Sequence, residues 1–533
     1  MIASHDFLKS NEREIVALET LLTSIPAIAP EGNGDGEEEK CRALELWLRD
    51  NGFENNGEGF NVWNRNFSYD SILWNDIGSG TARTEDPSLA GMGSSRSQSK
   101  VIAFLARVNY NWNNMIFAST SFRHEGATNF GDNNKWGNFP AASIAWEMAS
   151  MDFMSGVHWI NSLKPRISYG ITGRRGGSNV ARPTYGTSGQ YYMDGEWVIG
   201  YRPAANENPD LKWEKLVAWN VGIDAVMFSN RLRAGLDLYI RRSPDLLYNY
   251  TAPQPPFIHS SILVNVGETE NKGAELSLDG DILTKTAFKW TSGINASIGY
   301  SKIKKLSNQI YGASYIDMLG TGGLGQTSYY YRYTEGSRIG NLYGYEAAGV
   351  NEYGDMMVYD NDGNIITAAS ANAAYKRNIG NTIPKLFLSW NNTFRWKDFD
   401  LNIFMNGAFG HKIYNNRRAG NLQSSGNANV FRTAYTRDKD IREYGGVVTS
   451  YFLEKGDFMK IQNASLGYTF TPRNTEILQS LRVYLTASDL YTFTNYKGTD
   501  PALLSTNGLT PGVDNGVGYP ETRVLTLGAT VTF

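Results

Sequence analysis

The 533-residue sequence predicts an all-β fold: an antiparallel transmembrane β-barrel sheet of about fourteen long strands. Three observations carry that prediction. Apolar and polar residues alternate with period two in run after run from residue 100 onward. The runs are about 9 to 14 residues long, enough to cross a bilayer at barrel tilt and longer than ordinary soluble strands. The joints alternate between tight turns and long polar loops, an asymmetry that a soluble sandwich or propeller has no reason to show.

Composition agrees. Aromatics make up 13% (31 Tyr, 24 Phe, 13 Trp), charged residues only 19%, and Gly (55) far exceeds Pro (17), as expected for many strands joined by turns. With 50 Lys+Arg against 53 Asp+Glu there is no polybasic field, which argues against nucleic acid as the main partner. One cysteine excludes a disulfide framework and a Cys-based zinc site, and the 5 histidines form no HExxH pair. Mean hydropathy is −0.39, and no apolar run is long enough for a membrane helix. Barrel strands alternate faces, so a low average is compatible with a membrane.

Residues 1–99 form a segment apart. The residues after Met1 carry no basic, apolar or cleavage-site pattern of a secretory leader. Stretches 7–24 and 37–50 read as amphipathic helices flanking the acidic, Gly-rich 31–39, a solvated insertion rather than a cation site. Cys41 reads as an incidental thiol.

Residues 100–533 hold the strands. The runs are Lys100–Trp112, Met115–Arg123, Leu163–Gly173, Val217–Phe228, Arg231–Arg241, Glu275–Leu283, Ala287–Tyr300, Lys385–Trp396, Leu401–Asn406, Phe458–Phe470, Leu481–Phe493 and Arg523–Phe533, with weaker ones at Ala142–Met148 and Gly340–Val350. Alternation predicts Leu232, Leu236, Ile294, Ile298, Leu525 and Leu527 facing lipid, with Arg233, Asp237, Lys289, Asn295, Thr526 and Thr530 facing inward. Tight turns are expected at Asn113–Asn114, Ser229–Asn230, Thr284–Lys285 and Lys397–Asp398, and long loops over 174–214, 251–265, 301–335, 410–447 and 494–520. Tyr110, Trp112, Phe228, Trp290, Phe394, Trp396, Tyr491 and Phe493 lie near strand ends and read as an interfacial girdle beside the tight turns.

No catalytic, cofactor or metal site emerges. The acidic 358–365 fails the EF-hand pattern, because Val358 and Ala369 fall where the first and twelfth ligands belong. Asp362–Gly363 and 131–134 read as turns, and 320–325 (GTGGLG) as a loop without the strand-to-helix setting of a nucleotide site. Ser143 and Ser168 lack nucleophile spacing. The Tyr-rich 328–333 (SYYYRY) suits contact with a sugar or peptide.

An ordered series of motifs resembles the SusC/RagA-type TonB-dependent outer-membrane transporters. It comprises RVNYNW at 107–112, SFRHEG at 121–126, KWGNFP at 135–140, LKPRISYGITG at 163–173, NPDLKWE at 208–214, NKGAELSL at 271–278, GDFMKIQNASLGYT at 456–469, KGTDP at 497–501 and YP at 519–520. The resemblance implies a bacterial outer-membrane location and about the last 14 strands of a roughly 22-stranded barrel. HDFLK at 5–9 resembles the segment after an earlier strand, so the chain reads as a C-terminal barrel part, starting in an extracellular loop. The family's leader, small β-domain and TonB-contacting plug are not seen in the sequence. As a fragment the sheet is expected to stay open, with Val101–Trp112 and Arg523–Phe533 unpartnered. The implied activity is import of glycans or peptides, with a SusD-like lipoprotein on the outer face and TonB acting through the plug. Two other readings are a self-contained passive channel of about 14 strands and a soluble β-rich glycan-binding protein. The apolar stripes Leu232–Ile240 and Leu525–Phe533 disfavour the soluble one.

Overall fold

The computed structural model describes residues 99–533 except 176–180, 286, 307–311, 321–328, 421, 423–431, 437, 443–445, 473–477, 504–507 and 517–520. The expected helices at 7–24 and 37–50, the acidic loop, Cys41, most of GTGGLG and the YP at 519–520 lie outside the described residues.

Among the described residues thirteen strands form one sheet in strict chain order. They are β1 Val101–Trp112, β2 Ile116–Ala127, β3 Trp136–Trp146, β4 Ile160–Arg174, β5 Glu214–Met227, β6 Leu232–Pro244, β7 Glu268–Leu283, β8 Phe288–Lys305, β9 Leu386–Trp396, β10 Phe399–Phe409, β11 Phe458–Phe470, β12 Ser480–Thr494 and β13 Val524–Thr532. Each pairs antiparallel with its neighbours in sequence. The weak run Gly340–Val350 is not among them. It divides into Asn341–Gly344 and Ala347–Val350, which join small sheets outside the barrel wall. The run is too short between turn residues to span a bilayer, and the loop expected over 301–335 consequently extends to residue 385. The expected fourteenth strand is thus a loop element. Among the described residues nothing pairs with the outer edges of β1 and β13, so no closed barrel of fourteen strands forms.

All four expected tight turns lie at one end. Between β1 and β2, Asn113 and Asn114 adopt φ of 50° and 54°. Asn is among the few non-glycine residues that enter this left-handed region readily. Asn111 fastens the turn, its Oδ1 accepting from the Asn114 backbone N–H at 3.0 Å. Lys397 has φ 51° in the β9–β10 turn, and Phe228, Ser229 and Asn230 have φ of 56°, 57° and 66° between β5 and β6.

Register decides the faces, because directly paired residues point the same way. Leu236 pairs with Ile223 and Leu276, and Leu276 with Ala296. The series continues through Leu388, Gly407 and onward to β12, where Leu485 pairs with Leu466 and Leu527. This places Leu232, Leu236, Ile294, Ile298, Leu525 and Leu527 on one face, while Arg233, Asp237, Lys289, Asn295, Thr526 and Thr530 share the other. The apolar face is open, with Leu525 and Leu527 exposed to 70% and 76%. In water it would be an aggregation surface, whereas in lipid it is solvated.

Aromatic rings border that face twice. Trp112, Trp290, Phe394, Trp396, Phe399, Tyr468 and Phe470 lie towards the tight turns, with Phe399 and Tyr468 centroids 4.8 Å apart. Tyr491 and Phe493, expected in the same row, lie towards the long loops with Tyr300 and Trp219. They make a second row, because β12 runs from a turn to a loop. On β8 the rows are ten residues apart, Trp290 to Tyr300. At about 3.4 Å per residue and about 40° of tilt the band is about 26 Å tall, matching an outer-membrane barrel. Beyond Tyr300 the same face turns charged: Arg242 Nε donates to Glu270 at 2.9 Å, with Lys302 at 3.6 Å. No helix among the described residues is long and apolar enough to cross a membrane.

Candidate functional site

The polar face is a lattice of hydroxyls, amides and paired charges. Asn109, Ser119, Ser143, Ser168 and Asn220 stand in register across β1 to β5. Ser143 and Ser168 therefore belong to a polar row. On β4, Arg166 Nη1 and Nη2 donate to the two Asp237 oxygens, each at 2.7 Å, while its Nε donates to Asp224 at 2.9 Å. On β12, Arg482 Nη2 donates to Asp400 at 2.6 Å. The planar guanidinium holds two carboxylates across three strands, a geometry Lys cannot reproduce. These ions are tolerable only on a wet face.

A cavity of about 540 Å³ opens on this face across β6 to β11, roofed by Pro501 and Ala502 from the last long loop. Asp237, Glu275, Ser277, Asn295, Ser389 and Asn406 supply polar groups, and Phe387 and Phe458 supply rings. Composition and period two predicted such a wall. The cavity itself was not foreseen, since its roof comes from a loop that follows every wall strand in sequence.

The loops over the outer end are tied by the family-like motifs. Asn206 Oδ1 accepts from the backbone N–H groups of Ile258 and His259, and its Nδ2 donates to His259 and Ser261 carbonyls. Asn208 Nδ2 donates to the Leu263 carbonyl, and Asn265 exchanges two bonds of 2.8 Å with the Lys212 backbone. Leu211 and Trp213 of NPDLKWE are buried with Phe130 and Phe139. The turn at 131–134 docks on the same motif: Gly131 N–H donates to the Leu211 carbonyl at 3.0 Å, and Asn133 Nδ2 to Asp210 at 2.8 Å.

At the base of the last loop, Lys460 is buried on the polar face. Its ammonium lies 2.9 Å from Asp489, against Glu521, and 3.9 Å from Asp500. GDFMKIQ and KGTDP thus meet in space through Lys460 and Asp500.

Three of the four tyrosines of SYYYRY do not present a ligand platform. Tyr330, Tyr331 and Tyr333 are 2%, 0% and 1% exposed in a core formed by the loops, with Leu342, Met356, Val358 and Phe452. Tyr333 donates to the Leu509 carbonyl at 2.7 Å and Tyr331 to that of Pro511. Burial pushes both hydroxyls up, so they stay protonated donors. Arg332 is held by Asp317 at 2.6 Å and stacks 3.9 Å over Tyr315. Alternation alone could not separate a buried loop strand from an exposed one.

The hairpin expected at Asp362–Gly363 is present between Met356–Tyr359 and Ile365–Thr367. Asp360 caps it, accepting from Asp362 and Asn364 N–H at 2.9 and 2.8 Å. These bonds, led by that from the Asn364 side chain, lower the Asp360 pKa.

A long-stranded meander with one apolar, twice-girdled face and one wet face defines an outer-membrane β-barrel wall. Comparison with known proteins narrows it. The profile described as "TonB dependent receptor-like, beta-barrel" matches residues 33–392, and the chain belongs to that family. TonB-dependent receptor P3 of Formosa agariphila is 29% identical over 519 residues, covering 89% of this chain and 49% of the relative. TonB-dependent receptor SusC of Bacteroides thetaiotaomicron is 26% identical over 471 residues, covering 85% and 46%. The solved RagAB peptide transporter superposes with TM-score 0.69 at 25% identity, covering 83% of this chain and 49% of the other. The chain is an outer-membrane protein of SusC/RagA type and spans about half the length of these relatives.

Proposed function

We propose that this chain is the C-terminal part of the barrel of a nutrient importer, taking up glycans or peptides with energy delivered by TonB through a plug domain. In this reading residues 1–99 are an extracellular loop segment, 100–533 are wall and loops, and a SusD-like lipoprotein covers the outer face. The observation that carries the reading is the wet face, with its paired charges and its cavity, behind an apolar band of membrane height. The edges of β1 and β13, which pair with nothing among the described residues, support neighbours in a larger barrel, because exposed ladders are intolerable in hydrocarbon.

The test is uptake of fluorescent oligosaccharides and peptides by the native host, with the gene intact, deleted and restored, with and without a protonophore. Uptake that needs both the gene and the proton gradient supports the reading. Gene-dependent uptake that persists after uncoupling shows a passive pore instead. Mild-detergent extraction of the tagged protein is expected to bring down a stoichiometric partner with a lipidated N-terminal cysteine, read by mass spectrometry.

A further inference from the structure

The cavity under Pro501–Ala502 carries carboxylates, amides and hydroxyls in its wall. Asp489 accepts a bond from Gln462 Nε2 at 2.6 Å. An ionised carboxylate can only accept, so the Gln462 amide nitrogen faces it and Gln462 Oε1 faces away. That oxygen accepts from Asn406 Nδ2 at 3.2 Å. The orientation of Asn406 follows: its Oδ1 is an acceptor without a hydrogen-bond partner, buried behind the surface that Asn406 contributes to the cavity.

Charge adds a second constraint. Glu275 stands directly across from Asp237, and both line the cavity. Arg166 is engaged by Asp237 and Asp224 together. No Lys or Arg lines the cavity among the described residues, so the wall is net negative and repels anions. Phe387, on the same wall, is 40% exposed and offers a ring face. Hydroxyls of Ser277, Ser297 and Ser389 stand around it.

We propose that this cavity is a wall station for neutral, hydroxyl-rich ligands, namely uncharged oligosaccharides, and that it rejects acidic glycans. This rests on the import reading and narrows it. A sugar supplies several donating hydroxyls for Glu275 and the serine oxygens and an apolar ring face for Phe387. A peptide with a terminal carboxylate finds no cation to receive it.

The experiment places a single cysteine at Ser297 (S297C, with C41S) at the chromosomal locus and follows thiol labelling in outer-membrane vesicles. The probes are cellohexaose, mannohexaose and xylohexaose, against oligogalacturonate and hexa-alanine. At least one neutral hexaose is expected to slow labelling about tenfold at ten times its half-protecting concentration, with the acidic and peptide probes inactive. Phe387→Ala is expected to raise the half-protecting concentration about tenfold. Glu275→Gln, at an exposed position, is expected to let oligogalacturonate protect. Protection by hexa-alanine alone, protection by oligogalacturonate in the S297C/C41S parent, or no protection by any probe overturns the station. Failure of TonB-linked uptake with sugar protection intact overturns the import reading instead.

Discussion

Lys460 reaches Asp489 at 2.9 Å and Glu521 from a site that is 2% exposed, so it neutralises carboxylates on both the wall and the last loop. Replacing it with Met leaves those carboxylates facing each other without a cation. The expected cost is about 3 kcal/mol, reduced from the fully buried case because Glu521 is partly exposed. Trypsin cleavage of the 495–523 loop on intact cells should accelerate; an unchanged rate would remove Lys460 from its assigned role. Gly131 is constrained differently. A Cβ there would stand 2.0 Å from the Pro209 carbonyl oxygen, and backbone cannot step aside. Gly131→Ala should undock 128–135 from NPDLKWE at a cost of about 2 kcal/mol or more, read as loss of protease protection at both loops together. His411, buried at the root of the 410–457 loop, gives a pH dependence. Burial holds its pKa below the ordinary value, against the opposing pull of Asp457 at 3.9 Å. The unfolded loop therefore takes up a proton before the folded one does. Stability is full above about pH 6.5 and falls as pH drops from there towards the depressed folded pKa. Protease protection of the loop should decline between about pH 7 and 5 in the wild type and stay level in His411→Gln; parallel curves would refute the assignment.

At the scale of elements, the hairpins at the tight end depend on left-handed turn residues. Asn113→Val places a β-branched residue at φ 50° and should cost about 1–2 kcal/mol, while Asn113→Gly should cost little. The heat-modifiable gel shift of the assembled protein reads the difference, and equal midpoints would contradict it. These turns were legible in the sequence because each is a break of two to four residues between alternating runs. The same logic failed at Gly340–Val350. A short alternating run there buries Leu342 and Tyr345 in a loop core instead of lipid, and local pattern does not encode which core a strand joins. The tyrosines of 328–333 misled for the same reason. Lys460 and Asn406 were not legible as partners of anything, since Asp500, Glu521 and Gln462 reach them only after the sheet forms.

Across the whole molecule, two neighbouring positions separate the faces. Ile294 and Asn295 are adjacent on β8 but point to opposite sides. Ile294→Arg puts a guanidinium in the apolar band, at about 2–4 kcal/mol, whereas Asn295→Arg adds a charge to a wet wall. The first should lower the yield of assembled outer-membrane protein and the second should not; equal yields would mean that the face assignment is wrong. The loop core has a consequence of its own. Tyr331, Leu342, Val358 and Phe452 come from four separate stretches and share one dry interior. Their backbone amides should exchange with deuterium in a single correlated event, as in one folded unit. The part of the outer surface built on this core therefore behaves as a tile rather than a fringe: a force applied to one of its loops is shared by the others and passed to their attachment points at the rim.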